Sequence, residues 1–248
     1  PKAEMWKLPA PFVGEYAEKD AEMTLKLWHA LQHEISKQDL WDVFNLETNL
    51  FPCLVDMKFK GVRVDVQKAM SVKAQLQETE KKLLQDINKL AGFDVEIWAA
   101  ASIAKAFDTL KMPYDRTEKG APSFTKNFLA THPAELPKLI NEAREINKAH
   151  TTFIDTILKH EHNGRIHAEI NQIRSDQGGT VTGRFSYNNP NLQQIPARHK
   201  HLGPLIRSLF IPEEKCKWGC FDYSQQEPRI LVHFASLMKL EGTGAIVD

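Results

Sequence analysis

Apolar residues recur every three or four positions over long stretches of the first 160 residues, which is the spacing of one face of an α-helix. The pattern predicts helices over residues 15–37 and 39–60, with a break at Gly61. Two further long helices are predicted over residues 66–90 and 135–160. The first two thirds of the chain should therefore be almost entirely helical.

Local signals mark the ends of the third predicted helix. Asp65 stands where a side chain can cap its first turn, and Gly92 supplies its stop. The helix is highly charged on its outer side and has no internal Pro or Gly, so it could stand away from a compact core as an arm. After it, Pro and Gly between residues 92 and 133 predict short helices joined by loops.

The pattern changes near residue 163, where strands and Gly-rich loops enter. Asn163-Gly164 is a strong turn signal. Ile166, Ala168 and Ile170 then alternate with polar residues, which predicts a strand in the segment 165–175. The predicted fold class is α+β and mostly helical.

A second short strand is predicted from Trp218 to Phe221, and Asp222 follows it at once. Ser224 and Glu227 then have the spacing of a capping box, S-x-x-E, at the start of a helix. A buried carboxylate beside an apolar strand is unfavourable unless it is compensated, and Mg²⁺ takes such hard oxygen ligands. The alternatives are an ordinary turn aspartate at 222 and simple capping by the glutamate at 227. On the helix itself, the residues predicted to be buried are Ile230, Phe234 and Leu237.

The composition of the chain argues against several classes of protein. The chain has 32 basic and 32 acidic residues, so its total charge does not point to a nucleic-acid partner. Its three cysteines are odd in number and contain no CxxC pair, which argues against a disulfide framework or a zinc site and for a reducing compartment. There is no signal peptide and no apolar run long enough to span a membrane, so we expect a cytoplasmic protein. Because no initiator Met is present, we also expect the chain to begin inside a longer protein.

One segment has an unusual local charge. Residues 177–212 contain no Asp or Glu but carry basic side chains, four glycines and several Asn and Gln residues. Basic groups neutralise phosphates, while amides reach base edges, so this acid-free segment suits a nucleic-acid backbone. The alternative is a solvated surface loop whose acidic residues are missing by chance. The side chains of this positive patch are Arg184, Arg198, Lys200 and Arg207, together with His199 and His201.

Two blocks of residues resemble the DNA polymerase I family (family A). "DYSQQEPRILVHFA" (222–235) resembles motif A of that family, and "TVTGRFSYNNPNLQQIP" (180–196) resembles a second segment of its palm. "IRSLFIPEE" (206–214) lies between them at the family's spacing. Near the start, "YAEKDAEMTLKLW" (16–28) is similar to the Y-x-x-x-D motif of a 3′–5′ proofreading exonuclease. The resemblance extends over essentially the whole chain.

The resemblance implies an organisation and an activity. Residues 1–38 would be the C-terminal end of the exonuclease domain, residues 39–163 a helical thumb, and residues 164–248 the N-terminal part of an antiparallel-sheet palm. The chain would be a segment of a template-directed DNA polymerase, which adds dNTPs to a primer 3′-OH by two-metal phosphoryl transfer. Without the fingers and the remaining palm it should be inactive alone. Its partners would be primer–template DNA, a dNTP and a complementary polymerase fragment.

The resemblance also assigns site residues, and the departures from motif A at Gln226 and Pro228 leave them intact. Asp222 would be a ligand of two Mg²⁺ ions, with the Tyr223 backbone carbonyl completing one coordination shell. Glu227 would be the steric gate against a ribose 2′-OH. The implied DNA-binding residues are Arg184, Asn191, Gln193, Arg198 and Arg229, and the implied exonuclease residues are Tyr16 and Asp20.

Two other functions are compatible with the same residues. The chain could be a non-catalytic fragment that binds duplex DNA through the acid-free segment and the long helices. It could also be part of a 3′–5′ exonuclease built on Tyr16 and Asp20, although the other metal ligands of such an enzyme are absent from the sequence.

Overall fold

The computed structural model describes residues 2–176, 178–197 and 199–242 of the 248-residue chain, with only the backbone described at residues 2 and 3. The chain divides into two compact units, Pro1–Ile211 and Pro212–Asp248. Among the described helices, none offers an apolar stretch long enough to span a bilayer. The three cysteines are exposed and form no disulfide, as predicted.

Two long helices begin the first unit, after a short 3₁₀ turn at Lys2–Lys7. Helix α1 covers Ala10–Lys37 and α2 covers Trp41–Lys60, so the first two predicted helices are confirmed. Aromatic rings join them, since the ring centroids of Trp28 and Phe44 are 5.4 Å apart. Helix α1 buries none of its residues, and most of the apolar side chains of α2 are exposed as well.

Helix α3, Val66–Ala91, has both predicted ends. The Asp65 carboxylate accepts a hydrogen bond from the Lys68 amide at 2.9 Å, and Gly92 ends the helix in the left-handed region at φ 78°. The prediction that this helix could stand away as an arm is wrong. Buried side chains occur along its whole length, because α6 packs beside it. They are Ala69, Val72, Leu76, Leu83, Ile87 and Ala91.

The predicted region of short elements is confirmed. It contains α4 (Ala100–Thr109), the paired strands β2 (Asp115–Arg116) and β3 (Pro122–Ser123), and α5 (Lys126–Thr131). They assemble around the fully buried ring of Phe107. Four other rings surround it, with centroids 4.9–6.0 Å away: Tyr114, Phe124, Phe128 and His132.

The fourth long helix is interrupted by a π-helical turn. Helix α6 covers Glu135–Lys148, the π turn covers Ala149–Ile154, and α7 covers Asp155–His160, so helical structure extends over the predicted range 135–160. His150 lies in the π turn and is only 5% exposed. Its Nε2 atom is 2.5 Å from a carboxylate oxygen of Glu80, which ties the turn to α3. Such single π turns occur where a side chain needs a position that a regular α-helix does not give it.

Among its described residues, the first unit also contains three small antiparallel sheets. Strands β4 (Glu161–His162) and β5 (Arg165–Ile166) form a hairpin around the predicted Asn163-Gly164 turn, and β5 also pairs with β1 (Val62–Arg63). Asn163 and Gly164 both have positive φ, as the tight turn requires. The single strand predicted over 165–175 is instead divided into β5 and β6 (Glu169–Asn171), which belong to different sheets, and β6 pairs with β7 (Ser186–Asn188).

The acid-free segment, residues 177–212, begins in the loop before β7, includes that strand and continues past the end of the first unit. It contains a 3₁₀ turn at Leu192–Gln194 and helix α8, Leu202–Arg207. Leu202, Ile206 and Leu209 are buried and anchor α8 in the main core. The segment is therefore attached to the fold at both of its ends.

In the second unit, α9 covers Gln226–Leu237. Three predictions about this unit are wrong. Trp218–Phe221 is irregular, because the described part of the chain adds no neighbouring strand to pair with it. The predicted capping box is absent, because Gln225 adopts φ 52° and α9 starts one residue later, with no side-chain cap. Ile230, Phe234 and Leu237, which were predicted to be buried, are 46%, 58% and 64% exposed. A unit this short, below roughly 40 residues, cannot build a core alone.

Candidate nucleic-acid interface

A polar network fixes the hairpin of β6 and β7, whose second strand belongs to the acid-free segment. The Asn171 amide donates to the Asn188 side-chain oxygen at 2.6 Å. Asn188 and Asn189 in turn donate to one carboxylate oxygen of Glu169, at 2.9 and 3.2 Å. Because the bonds cross between the two strands, they fix the register of the hairpin in addition to its backbone ladder.

The loop between these strands passes very close to its own base at Gly179. A β-carbon on this residue would stand 2.0 Å from the carbonyl oxygen of Ile173, and the residue has φ +92°. The Gly179 amide donates to the Ser186 hydroxyl at 3.1 Å. Glycine is therefore required by both the close approach and the backbone conformation.

Hydrogen bonds to backbone carbonyls hold the part of this loop that carries Arg184. The Thr180 hydroxyl donates to the carbonyl oxygen of Arg184 at 2.7 Å, and the Gln193 amide donates to that of Phe185 at 3.1 Å. The residue Arg184 itself is exposed. The loop is thus shaped by bonds to its main chain, while its arginine faces solvent.

Two residues predicted to contact DNA also build the local structure. The Asn191 side chain accepts a hydrogen bond from the Gln193 amide nitrogen at 3.1 Å and caps the 3₁₀ turn at Leu192–Gln194. Through its side chain, Gln193 braces the neighbouring loop. Arg184, Asn191 and Gln193 therefore belong to one connected structure. Arg198, the fourth predicted DNA-binding residue of this segment, lies outside the described residues.

The far end of the acid-free segment is held by Glu145 on α6. One carboxylate oxygen lies 2.8 Å from Lys126 Nζ, and the other lies 3.0 Å from His199 Nε2. Burial raises the pKa of Glu145, but the hydrogen bonds from Lys126 and His199 and the positive charge of Lys126 outweigh it and leave the pKa below its ordinary value. The sequence suggested His199 as part of a positive patch, whereas the structure places it in this bridge.

The motif A residues lie in the second unit, around the turn before α9. Asp222 is exposed, and Tyr223 is 81% exposed. Glu227 stands in the first turn of α9, where the helix dipole favours a negative charge. The Arg229 side chain donates through Nε to the Ser224 carbonyl oxygen at 2.9 Å, so it braces the turn between the two carboxylates.

Asp222 offers the kind of ligand that Mg²⁺ requires, but a single carboxylate does not make a site. The described residues contain no cluster of three or more His, Cys, Asp or Glu side chains placed to hold a metal. Since Asp222 is exposed and offers hard oxygen atoms, it fits the chemistry of a magnesium ligand, provided that further carboxylates are added to it.

The sequence model of DNA polymerase family A matches residues 66–242, which is well over half of the chain. The chain belongs to DNA polymerase family A. Relatives in the family include the "DNA-directed DNA polymerase" of Pseudomonas phage M6, which is 36% identical over 249 residues, and the thermostable DNA polymerase I of Thermus aquaticus, which is 32% identical over 231 residues. These alignments cover 96% and 90% of this chain but only 37% and 27% of the relatives.

A solved structure shows the same fold. The POL domain of Pol1 from M. smegmatis, in complex with DNA primer-template and dNTP, superimposes with a TM-score of 0.68 and 24% sequence identity. The superposition covers 86% of this chain and 38% of that one. This family A chain therefore spans about two fifths of the length of the polymerase domain that it resembles.

The family match covers some of the predicted site residues and not others. Its range includes the DNA-binding residues and the motif A residues but excludes Tyr16 and Asp20. The structure places those two residues four positions apart on α1, and so on the same face of the helix, where both are exposed.

Sequence reasoning missed the residues that brace the interface of this family A chain. Thr180 and Glu145 were not singled out, whereas Ser186 was noted only as one of several neutral hydrogen-bonding groups. Thr180 and Ser186 both lie in the segment 180–196 that resembles the family. Hydroxyl groups of Ser and Thr in a loop often form hydrogen bonds with the backbone a few residues away, and this was the signal that could have identified them. Glu145 carries no local signal, because His199 is 54 residues away along the chain.

Proposed function

We propose that the chain is the part of a template-directed DNA polymerase that contains the thumb and the first part of the palm. The complete enzyme would add dNTPs to a primer 3′-OH. The observation that carries this proposal is the family match over residues 66–242, which includes both the loop of Arg184 and the motif A segment around Asp222. The structural likeness to a polymerase domain solved with primer-template and dNTP supports it.

Under this proposal, residues 1–38 are the end of an exonuclease domain, residues 39–163 are the thumb and residues 164–248 belong to the palm. The first border falls just after α1 ends at Lys37, and the second falls at the Asn163-Gly164 turn. The helical core of α3 and α6 would then be the body of the thumb.

The chemistry requires positioning and charge neutralisation. Two Mg²⁺ ions would supply activation of the 3′-OH and stabilisation of the leaving pyrophosphate. Within this chain, Asp222 would hold them through its exposed carboxylate, and the Tyr223 carbonyl would add one oxygen ligand. Glu227, fixed at the start of α9, would occupy the space that a 2′-OH needs.

The acid-free segment would bind the primer–template. Arg184 would reach the minor groove from its braced loop, with Asn191 and Gln193 beside the duplex. Arg198 and Arg229 would support the DNA or the floor of the active site. Because this segment carries no carboxylate, it adds no repulsion toward phosphates.

Primer extension tests the proposal. The chain alone should bind primer–template and extend nothing, because further metal-binding carboxylates are needed. Combined with a fragment that carries the remaining palm and the fingers, it should extend the primer in a Mg²⁺-dependent reaction. DNA binding without extension in the combined sample would favour the non-catalytic duplex-binding fragment instead.

Sugar selection should depend on Glu227. In the combined sample, Glu227→Ala should raise ribonucleotide incorporation relative to deoxyribonucleotide incorporation by about tenfold or more, because the side chain no longer blocks the 2′ position. The measurement is the ratio of kcat/KM for a matched rNTP and dNTP. Glu214→Ala removes an exposed carboxylate from the same unit and should leave this ratio unchanged. An unaltered ratio in Glu227→Ala would remove the gate from the proposal.

Tyr16 and Asp20 support a smaller proposal. Their shared face on α1 is compatible with an exonuclease remnant, in which Tyr16 orients water and Asp20 binds metal. Since both residues lie outside the family match, the polymerase proposal does not depend on them.

A further inference from the structure

Glu145 connects three parts of the first unit through one carboxylate. The residue lies on α6, its Oε1 atom is bonded to Lys126 at the start of α5, and its Oε2 atom is bonded to His199 in the acid-free segment. Only 23% of its side chain is exposed, while the side chain of Lys126 is 75% exposed. A partly buried carboxylate between two such donors favours one fixed geometry.

The hydrogen bonds of His199 show which ring nitrogen carries the proton. Nδ1 lies 3.0 Å from the Leu202 amide and 3.3 Å from the His201 amide, so it acts as an acceptor. The proton is therefore on Nε2, which donates to Glu145. The backbone carbonyl of His199 also accepts from the Gly203 amide at 2.9 Å. One histidine thus joins the beginning of α8 to α6.

This bridge lies next to the residues proposed to bind DNA. Glu145, Lys126 and His199 line a cavity of about 460 Å³, and Gln193 lies on the same wall. From Gln193 the bonds continue to the carbonyl of Phe185, which directly follows Arg184. The bridge at Glu145 and the residue that braces the loop of Arg184 therefore border the same cavity.

We propose that Glu145 is a positioning residue for primer–template binding, which holds the acid-free segment on α6 without contacting DNA itself. The inference rests on the function proposed above. It also explains why a carboxylate is found beside a surface that should bind phosphates. Both of its oxygens are bonded to basic side chains of the protein, so its charge is compensated locally.

The direction in which one substitution changes DNA affinity distinguishes a positioning role from a purely electrostatic effect. Glu145→Gln removes a negative charge, so charge alone predicts tighter DNA binding. If Glu145 positions the segment, the same change should weaken primer–template affinity by about fivefold to tenfold, because the amide cannot accept hydrogen bonds on both sides. Glu142→Gln is the matched control, since it removes the same charge from an exposed position on the same helix. It should bind as tightly as the unmodified chain, or slightly more tightly.

A second variant tests the path through His199. In His199→Asn, the side-chain oxygen can still accept from the Leu202 amide, but the shorter side chain cannot reach Glu145. It should reproduce the loss seen in Glu145→Gln, and the double variant should be no weaker than either single variant. The affinities are measured by fluorescence anisotropy with a labelled primer–template at one salt concentration. Amide hydrogen exchange of residues 199–203, measured on the same samples, should be faster in both variants.

The outcomes distinguish the two proposals. If the unmodified chain does not bind primer–template, the proposed function fails and the positioning role fails with it. If the unmodified chain binds and Glu145→Gln binds equally well or better, the positioning role alone is overturned. Additive losses in the double variant, or unchanged exchange at residues 199–203, would also overturn it.

Discussion

Asp222→Asn should reduce Mg²⁺-dependent primer extension by at least about a hundredfold, because a metal ligand contributes several kcal/mol to the transition state. The substitution keeps the size of the side chain but replaces a charged oxygen pair with a neutral amide. The measurement is the single-turnover rate of nucleotide addition, with the chain combined with a fragment that carries the remaining palm and fingers. Asp222 is exposed, so the loss should appear in the rate and not in the unfolding temperature.

Primer–template affinity provides the internal control for this prediction. Asp222→Asn should bind DNA at least as tightly as the unmodified chain, since it removes a negative charge from the neighbourhood of phosphates. Glu214→Gln makes the same chemical change at another exposed position in the second unit and should leave extension unchanged. Extension by Asp222→Asn at the unmodified rate would contradict the assignment of the metal ligand.

Gly179→Ala should misplace the loop that carries Arg184 and weaken primer–template binding by at least about tenfold, as expected when a groove-reading arginine is lost. The new methyl group would meet the Ile173 carbonyl oxygen at 2.0 Å, and φ +92° is unfavourable for alanine. Overpacking of this kind costs about 1–3 kcal/mol, which the loop can avoid only by moving away from its base. Movement would break the bond between the Gly179 amide and the Ser186 hydroxyl.

Gly183→Ala is the matched control within the same loop. Gly183 also has positive φ, at +74°, but a β-carbon there would meet nothing within 4 Å. It isolates the backbone strain, about 1 kcal/mol, from the steric overlap. Anisotropy titrations of both variants should therefore show a much larger loss for Gly179→Ala. In addition, Gly179→Ala combined with Arg184→Ala should bind no worse than Arg184→Ala alone, and equal affinities for the two glycine variants would contradict the argument.

The helical part of the fold could be predicted because its signals are local. Asp65 and Gly92 mark the ends of α3 from the sequence alone, and the structure confirms both. The Asn163-Gly164 turn was predictable for the same reason. In each case the physical cause lies within a few residues of the effect, in a cap or in a backbone conformation that glycine allows.

Contacts between distant residues could not be predicted from these signals. Glu80 and His150 are 70 residues apart, and Glu145 and His199 are 54 residues apart, yet each pair is joined by a direct hydrogen bond. The charge on the outer side of α3 suggested a solvated arm, but α6 covers the opposite face of that helix along its length. A single helix does not show which of its neighbours will cover it.

In the motif A region, the sequence predicted the family correctly but the local secondary structure wrongly. The motif itself identified the family, and the match over residues 66–242 confirms it. The strand before Asp222 and the capping box at Ser224 were wrong, because a strand depends on a neighbour and a cap depends on the φ angle of one residue, here Gln225. Family membership and local geometry are therefore separate predictions, which have to be tested separately.

The way in which the loop between β6 and β7 is braced has a consequence for protein engineering. The side chains of Thr180 and Gln193 donate hydrogen bonds to the backbone carbonyl oxygens of residues 184 and 185. A backbone carbonyl oxygen is present whatever side chain the residue carries. These two bonds therefore do not depend on the identity of the side chain at position 184. A designer could exchange that exposed side chain and still keep both backbone bonds.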